Sequence, residues 1–316
     1  MYKYELLTLL EKVLMKSYQM KNGEHAFHCP FCNHHKPKLS INLDRGVKCW
    51  VCNWSTPKIS RIVRRVGNYK QVEDWKEFDD TVDINDFSLD LFQKKEKKTE
   101  TALNLPEEFT TLTNNKTPRS ALFAMKYLRG RGIQKKDILH WKIGYCDSGE
   151  YENRIIIPSF NMQGRVDYFM ARTYTNGWPK YKNPPAAKDI VFSELWIDWA
   201  KPVILVEGIF DAIKAGPNSI PLLGSSLREN SRLFQSIVKH DPAVYLALDK
   251  DAKNKANHMA KKFLQYGIEL YKIDITQYND IGEMTNSEFS SLKEKTPRID
   301  SELQLITQTL LEQESR

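Results

Sequence analysis

Two sets of side chains in this sequence are spaced for chemistry. Cys29-Pro30-Phe31-Cys32 and Cys49-Trp50-Val51-Cys52 are CxxC pairs with sixteen residues between them. Thiolates are soft ligands, and four of them close a tetrahedral zinc site with no open position, so this set is structural. The second set is acidic. Glu207 follows the apolar run Val203-Ile204-Leu205-Val206, and Asp249 and Asp251 follow Ala243-Val244-Tyr245-Leu246-Ala247-Leu248. Three carboxylates brought together repel one another unless a cation lies between them. Oxygen ligands of this kind suit a hard divalent ion. Glu207, Asp249 and Asp251 are therefore the candidate catalytic and metal-binding acids. Asp211, four residues after Glu207, either touches such an ion, directly or through water, or stabilises the start of the next helix.

The elements that must position these groups are legible in outline. Short apolar runs followed by helical patterns read as βα units of a parallel sheet, whose strands are buried on both faces. In such sheets ligands collect beyond the carboxyl ends of the strands. Residues 209–215 read as a helix stopping at Gly216, residues 220–223 as a strand, 254–266 as an amphipathic helix and 268–274 as another strand. Around the cysteines, Leu39-Ser40-Ile41-Asn42-Leu43 alternates, Asp44-Arg45-Gly46 turns and Val47-Lys48 returns. That is a β-hairpin, and the module is a zinc ribbon propped by a helix over residues 4–16. His28, His34 and His35 crowd the first pair but are not needed as ligands beside four cysteines. Cys146 stands alone and reads as a buried apolar residue.

The 316 residues suggest two or three domains. Lys and Arg number 47 against 40 Asp and Glu, and their distribution says more than the total. Residues 1–65 carry 12 basic and 4 acidic side chains, and residues 119–200 carry 13 and 8. Two basic regions beside a cluster of acids suit a protein that grips a polyanion next to a metal site. In the ribbon, Phe27, Phe31, Trp50 and Trp54 are interleaved with the basic groups; some of them suit stacking on unpaired bases and the others fill the ribbon's small core. No apolar run approaches the roughly 18 residues that span a bilayer, and the N-terminus lacks a signal-peptide core. These features predict a cytosolic protein with no membrane partner. No P-loop motif occurs. The domain reading is a ribbon over 1–70, a charged linker over 71–106, a basic region over 107–200, an acid-bearing α/β region over 201–290 and a C-terminal helix over 291–316. Within the basic region, residues 119–145 read as helical. Residues 154–158 and 165–172 read as strands joined by a turn at 161–164, and residues 179–185 as a loop.

Several of these stretches resemble one family. Val206-Glu207-Gly208-Ile209-Phe210-Asp211 and Asp249-Lys250-Asp251 resemble the TOPRIM domain of primases and topoisomerases. His28-Cys29-Pro30-Phe31-Cys32, Lys36-Pro37-Lys38-Leu39-Ser40-Ile41 and Cys49-Trp50-Val51-Cys52 resemble the zinc-binding domain of DnaG-type primases. Arg154, Arg172 and Lys180, the last in a Lys-Tyr-x-Asn loop, resemble the N-terminal half of the DnaG-type RNA polymerase domain. Cys32 stands where bacterial members commonly have His, which brings the chain closer to small phage primases. The usual Ala-Gly after the DxD acids is missing, and the chain has Ala252-Lys253-Asn254 there.

The resemblance implies an α/β fold: zinc ribbon, linker, then a primase-type RNA polymerase core with a TOPRIM parallel-sheet subdomain. It implies a DNA primase that copies single-stranded DNA into short RNA primers from ribonucleoside triphosphates, with Zn²⁺ in the ribbon and Mg²⁺ or Mn²⁺ at the acids. A separate replicative helicase is the implied partner, and the cytoplasm of a bacterial host the implied site of action if the chain is phage-encoded. Arg154, Arg172 and Lys180 would bind nucleotide phosphates or template, with Lys182 as an extension of that set. Asp280-Ile281-Gly282-Glu283-Met284 resembles the closing acidic segment of the family and makes Asp280 a further metal ligand, with Glu283 behind it. Two rivals use the same residues: a TOPRIM nuclease, and a non-catalytic zinc-ribbon protein that binds single-stranded DNA and recruits a helicase.

Overall fold

The structure is a computed structural model that describes residues 2–77, 103–113, 118–224, 227–275, 277–278 and 280–314. The chain forms two units, one of residues 1–100 with 265–267 and one of residues 101–264 with 268–316.

The N-terminal unit opens with helix α1 (Tyr2–Leu14), which buries Leu6, Leu9, Leu10 and Leu14 on one face. An antiparallel sheet follows, with strands β1 (Tyr18–Gln19), β2 (His25–Phe27), β3 (Leu39–Asn42), β4 (Gly46–Cys49) and β5 (Ser55–Thr56) in sequential order. The expected hairpin is β3–β4, registered Leu39↔Cys49 and Ile41↔Val47. Its turn requires glycine: Gly46 has φ +106°, and a Cβ there would lie 2.3 Å from the Thr56 carbonyl oxygen. Helices α2 (Ser60–Val66) and α3 (Tyr69–Lys76) complete the unit. Asn68 and Gln71 cap α3 reciprocally, each side chain accepting from the other's backbone N–H. Trp75, on the last turn of α3, is buried in the same core as Leu10, Leu39 and Ile62.

The second unit starts with an antiparallel sheet of β6 (Thr110–Thr111), β7 (Gly144–Cys146), β8 (Arg154–Phe160) and β9 (Val166–Thr173), again in sequential order. Helices α4 (Ala121–Gly130) and α5 (Lys135–His140) lie between β6 and β7 in the chain. Strand alternation sends Ile155 and Ile157 into one core and Ile156 into another. The second of these is closed by Leu103, Leu105 and Phe109. Both ends of the segment read as a linker, 71–106, therefore belong to packed units: 71–77 to the N-terminal one and 103–106 to the second. The Leu89–Phe92 piece and the charge run at 94–98 lie outside the described residues.

The α/β part contains β10 (Val203–Val206), helix α6 (Ile209–Ala215), β11 (Ser219–Pro221), α7 (Arg232–His240), β12 (Val244–Ala247), α8 (Lys253–Gln265), β13 (Leu270–Lys272), α9 (Asn286–Lys295), β14 (Arg298–Ile299) and α10 (Glu302–Glu314). The sheet order is β11-β10-β12-β13-β14. The first four strands are parallel, and β14 adds an antiparallel edge. All four residues of β10 are buried, as its unbroken Val-Ile-Leu-Val run requires of a strand covered on both faces. One core joins the two sheets: Ile155, Ile157 and Tyr168 pack with Ile204, Val206 and Phe210. Helix α10 is tied to α8, with Lys261 paired to Glu302 at 3.1 Å and Lys253 donating to the Thr309 carbonyl at 3.2 Å. Among the described residues no helix is long and apolar enough to cross a membrane.

Candidate metal centres and basic residues

The four cysteines of the N-terminal unit converge. Cys29 lies two residues beyond β2 and Cys49 ends β4, and each CxxC turn closes on an asparagine in the left-handed region, Asn33 (φ 46°) and Asn53 (φ 60°), a conformation asparagine tolerates. Cys29 Sγ is 3.9 Å from Cys52 Sγ, Cys32 Sγ is 3.8 Å from Cys49 Sγ, and all four sulfurs lie within 4.8 Å of one another. Zn–S bonds of about 2.3 Å put tetrahedral sulfurs about 3.8 Å apart, so the donor set and spacing fit a zinc ion. Burial pushes the Cys29 and Cys49 thiols up. Cys52 is also pushed up by burial, but the Trp54 backbone N–H and its neighbouring thiols outweigh this and bring it below its ordinary value.

The acidic site is built by strand pairing. β10 and β12 are neighbours registered Val206↔Ala247, so the residues that follow them leave the sheet side by side. Glu207, Asp249 and Asp251 each offer a carboxylate oxygen within 4.8 Å of the others. Asp249 Oδ1 is buried and has no hydrogen-bond partner. An orphaned carboxylate oxygen costs free energy unless a cation meets it, and the oxygen-only donor set fits a hard divalent cation. Burial, then the charges of Asp211, Glu207, Asp280 and Asp251, push the Asp249 carboxyl up to about 7.

Asp211 and Asp280 stand apart from that trio. Asp211 Oδ2 accepts from the Gly208 N–H at 3.0 Å, capping α6. Its carboxyl is raised by burial and then by Asp280. Asp280 Oδ1 accepts from the Glu283 N–H at 3.1 Å and caps a short 3-10 turn, Ile281–Glu283. Both carboxylates face Gly282: a Cβ there would lie 2.9 Å from Asp280 Oδ1 and 4.0 Å from Asp211 Oδ1. The charge of each bears on Asp249.

Four basic residues of the antiparallel sheet and the loop after it have four different settings. Arg154 is 6% exposed. Its Nη2 donates to the Pro179 carbonyl at 2.8 Å and its Nη1 to the Ala171 carbonyl at 3.4 Å, and burial draws the guanidinium below its ordinary value. Arg172 lies 4.8 Å over the Tyr181 ring. Lys182 pairs with Glu150 at 3.2 Å and donates to the Glu150 carbonyl at 3.1 Å. Lys180 is exposed.

No protein-family model matches the chain. A DNA primase of Clostridium acetobutylicum is 23% identical over 284 residues, covering 72% of this chain and 46% of its own length. A DNA primase of Staphylococcus aureus strain MW2 is 24% identical over 325 residues, covering 83% of this chain and 53% of its own length. Among solved structures, a DnaG primase catalytic domain bound to single-stranded DNA superposes with a TM-score of 0.50 and 17% identity, covering 62% of this chain and 78% of that one. The chain is similar in sequence to these DNA primases and shares the fold of the DnaG catalytic domain. It spans about half the length of these two curated relatives.

Two contacts in the second unit escape the reading of the sequence. Lys255 Nζ lies 3.0 Å from Glu207 Oε1, with the two side chains 27% and 24% exposed. Its position on the first turn of α8, four residues after Asp251, is the available signal, because that turn faces back to the acids. Arg131 lies 4.6 Å over the Phe210 ring and 5.2 Å over Tyr127; burial raises the Asp211 carboxyl and the Tyr181 hydroxyl, and the Arg131 charge offsets a small part of each rise. Nothing local marks Arg131 out from its neighbour Arg129.

Proposed function

We propose that the chain is a DNA primase, synthesising short RNA primers from ribonucleoside triphosphates on a single-stranded DNA template during replication. The observation that carries this reading is the meeting of Glu207, Asp249 and Asp251 at adjacent strand ends, with an unpartnered Asp249 oxygen among them, in a DnaG-related core that also bears a basic antiparallel sheet.

In this reaction a 3′-hydroxyl attacks an α-phosphate and pyrophosphate leaves. Mg²⁺ or Mn²⁺ held by Glu207, Asp249 and Asp251 would lower the pKa of the hydroxyl and stabilise charge on the transferring group. Glu207 serves as general base or as a shared ligand. Asp280 and Asp211 add negative charge next to the trio, which strengthens its hold on a cation. Arg172 and Lys180 hold phosphates of nucleotide or template. Arg154 acts through the backbone it supports, and Lys182 secures the same segment from the Glu150 side. Alignment of this kind supplies much of the rate in phosphoryl transfer. The ribbon, closed around Zn²⁺ by Cys29, Cys32, Cys49 and Cys52, contributes to choice of template site. A separate replicative helicase is the proposed partner, and the bacterial cytosol the proposed place of action.

The test is incubation of the chain with single-stranded DNA, labelled ribonucleotides and Mg²⁺ or Mn²⁺. Template-dependent short RNA supports the primase. Nicked DNA without RNA supports a nuclease, and bound DNA without either product supports a recruitment protein.

A further inference from the structure

Trp178 is the most exposed large apolar side chain among the described residues, at 90%. Tryptophan is highly buried on average, so a ring held in solvent needs a reason. The loop that carries it is held in place. Thr173 N–H donates to the Lys180 carbonyl at 3.2 Å and Lys182 N–H to the Ala171 carbonyl at 3.0 Å. Within the loop, Thr175 N–H donates to Thr173 Oγ1 at 3.2 Å and Gly177 N–H to Thr175 Oγ1 at 3.3 Å. The residue after Trp178 is anchored from below, because the buried Arg154 guanidinium donates to the Pro179 carbonyl at 2.8 Å. A buried charge is costly unless hydrogen-bonded, and here one is committed to backbone next to a fully displayed indole.

The surroundings specify what the indole meets. From 168 to 188 the chain holds Arg172, Lys180, Lys182 and Lys188 and no acidic residue. The side chains flanking Trp178 are Asn176, Pro179 and Lys180, not an apolar patch of the kind a protein partner needs. At the foot of the loop, Arg172 lies over Tyr181. Tyr181 packs against the core that also holds Ile209 and Phe210, the residues that open α6 just after Glu207-Gly208. A pre-ordered aromatic ring among cations is what stacking on a base of an unpaired polyanion requires.

We infer that Trp178 is a stacking platform for a nucleobase, displayed by a loop that Arg154 anchors. This rests on the primase reading, and it adds a base-contacting residue to it. The nucleobase has two possible sources, the template strand and a ribonucleotide substrate.

The test measures binding by the full-length chain and its W178A and W178F variants to four probes: oligo(dT), an abasic strand of equal phosphate count, ATP and inorganic tripolyphosphate. Circular dichroism checks that each variant is folded. W178A is expected to bind oligo(dT), ATP or both about 5- to 100-fold more weakly, with W178F recovering most of the loss and the base-free probes unaffected. A loss confined to oligo(dT) assigns the template as source, and one confined to ATP assigns the substrate. The salt dependence of oligo(dT) binding stays unchanged in W178A, because stacking releases no counterions. Wild-type binding of all four probes by W178A overturns the inference, as does an equal loss on base-bearing and base-free probes. Either result leaves the primase reading intact if the wild type makes primers. A wild type that binds neither DNA nor ATP overturns both.

Discussion

Replacing Asp249 with Asn tests the acid cluster through stability alone. Burial and the surrounding carboxylates push Asp249 from its ordinary 3.8 up to about 7. At about 1.36 kcal/mol per pKa unit the full displacement would be worth roughly 4 kcal/mol. Asp249 is only about half-buried, and solvent screening reduces this to roughly 2 kcal/mol. A carboxyl raised in the folded state favours folding at low pH, where it keeps its proton. That contribution is fully present below about pH 4 and is lost as pH rises through about 7. The metal-free wild type should therefore lose stability in its second unit across this window. D249N cannot ionise there, so its slope should be shallower, and at pH 8 it should exceed the wild type by roughly 1–2 kcal/mol, or about 2–6 °C in melting temperature. With Mn²⁺ the order should reverse. The wild type gains about 2.7 kcal/mol at a hundredfold excess over the dissociation constant, and D249N gains little. Thermal unfolding in resin-treated buffer at pH 4.5 and pH 8, with and without Mn²⁺, reads both effects. A D249N protein less stable than the wild type without metal at pH 8, or equally stabilised by Mn²⁺, would refute the reasoning.

Three further outcomes are expected. K255M removes the cation that competes for Glu207, so half-saturation with Mn²⁺ should fall about 2- to 5-fold, the value of a partly solvated pair; weaker Mn²⁺ binding by calorimetry would count against it. C49S should lose stoichiometric zinc by elemental analysis and lower the melting of the N-terminal unit, while the second unit's transition stays in place. R154A strands the Pro179 carbonyl and should cost about 1–3 kcal/mol, with faster tryptic cleavage after Lys180; an unchanged cleavage rate would show that the loop is held without Arg154.

Much of the fold was legible because its signals are local. The β3–β4 hairpin announces itself through alternation over Leu39–Leu43 and a glycine where φ must be positive. Strand β10 is visible as an unbroken apolar run. Helix α3 also had a local signal, the Asn68–Gln71 capping pair ahead of Trp75, but the charge-rich composition beyond it reads as linker. Strand β14 had none. Two residues, Arg298 and Ile299, carry no period, and they form a strand only because β13 presents an edge. Arg154 shows the opposite limit. Its position at the start of a strand was readable, but its burial was not, because the carbonyls it meets belong to segments that return to it later in the chain.

The same division runs through the candidate site. By itself the sequence determined which chemistry was available: four soft thiolates in two tight turns, and carboxylates placed directly after apolar runs. Residue type and short spacing suffice for that. Only the tertiary structure decided which carboxylates share one space. Glu207 meets Asp249 and Asp251 because β10 and β12 are neighbours in register, whereas Asp280 caps its own turn outside that trio and acts on it through charge. Strand order is set by how the whole sheet buries its faces, and no stretch around any one acid encodes it.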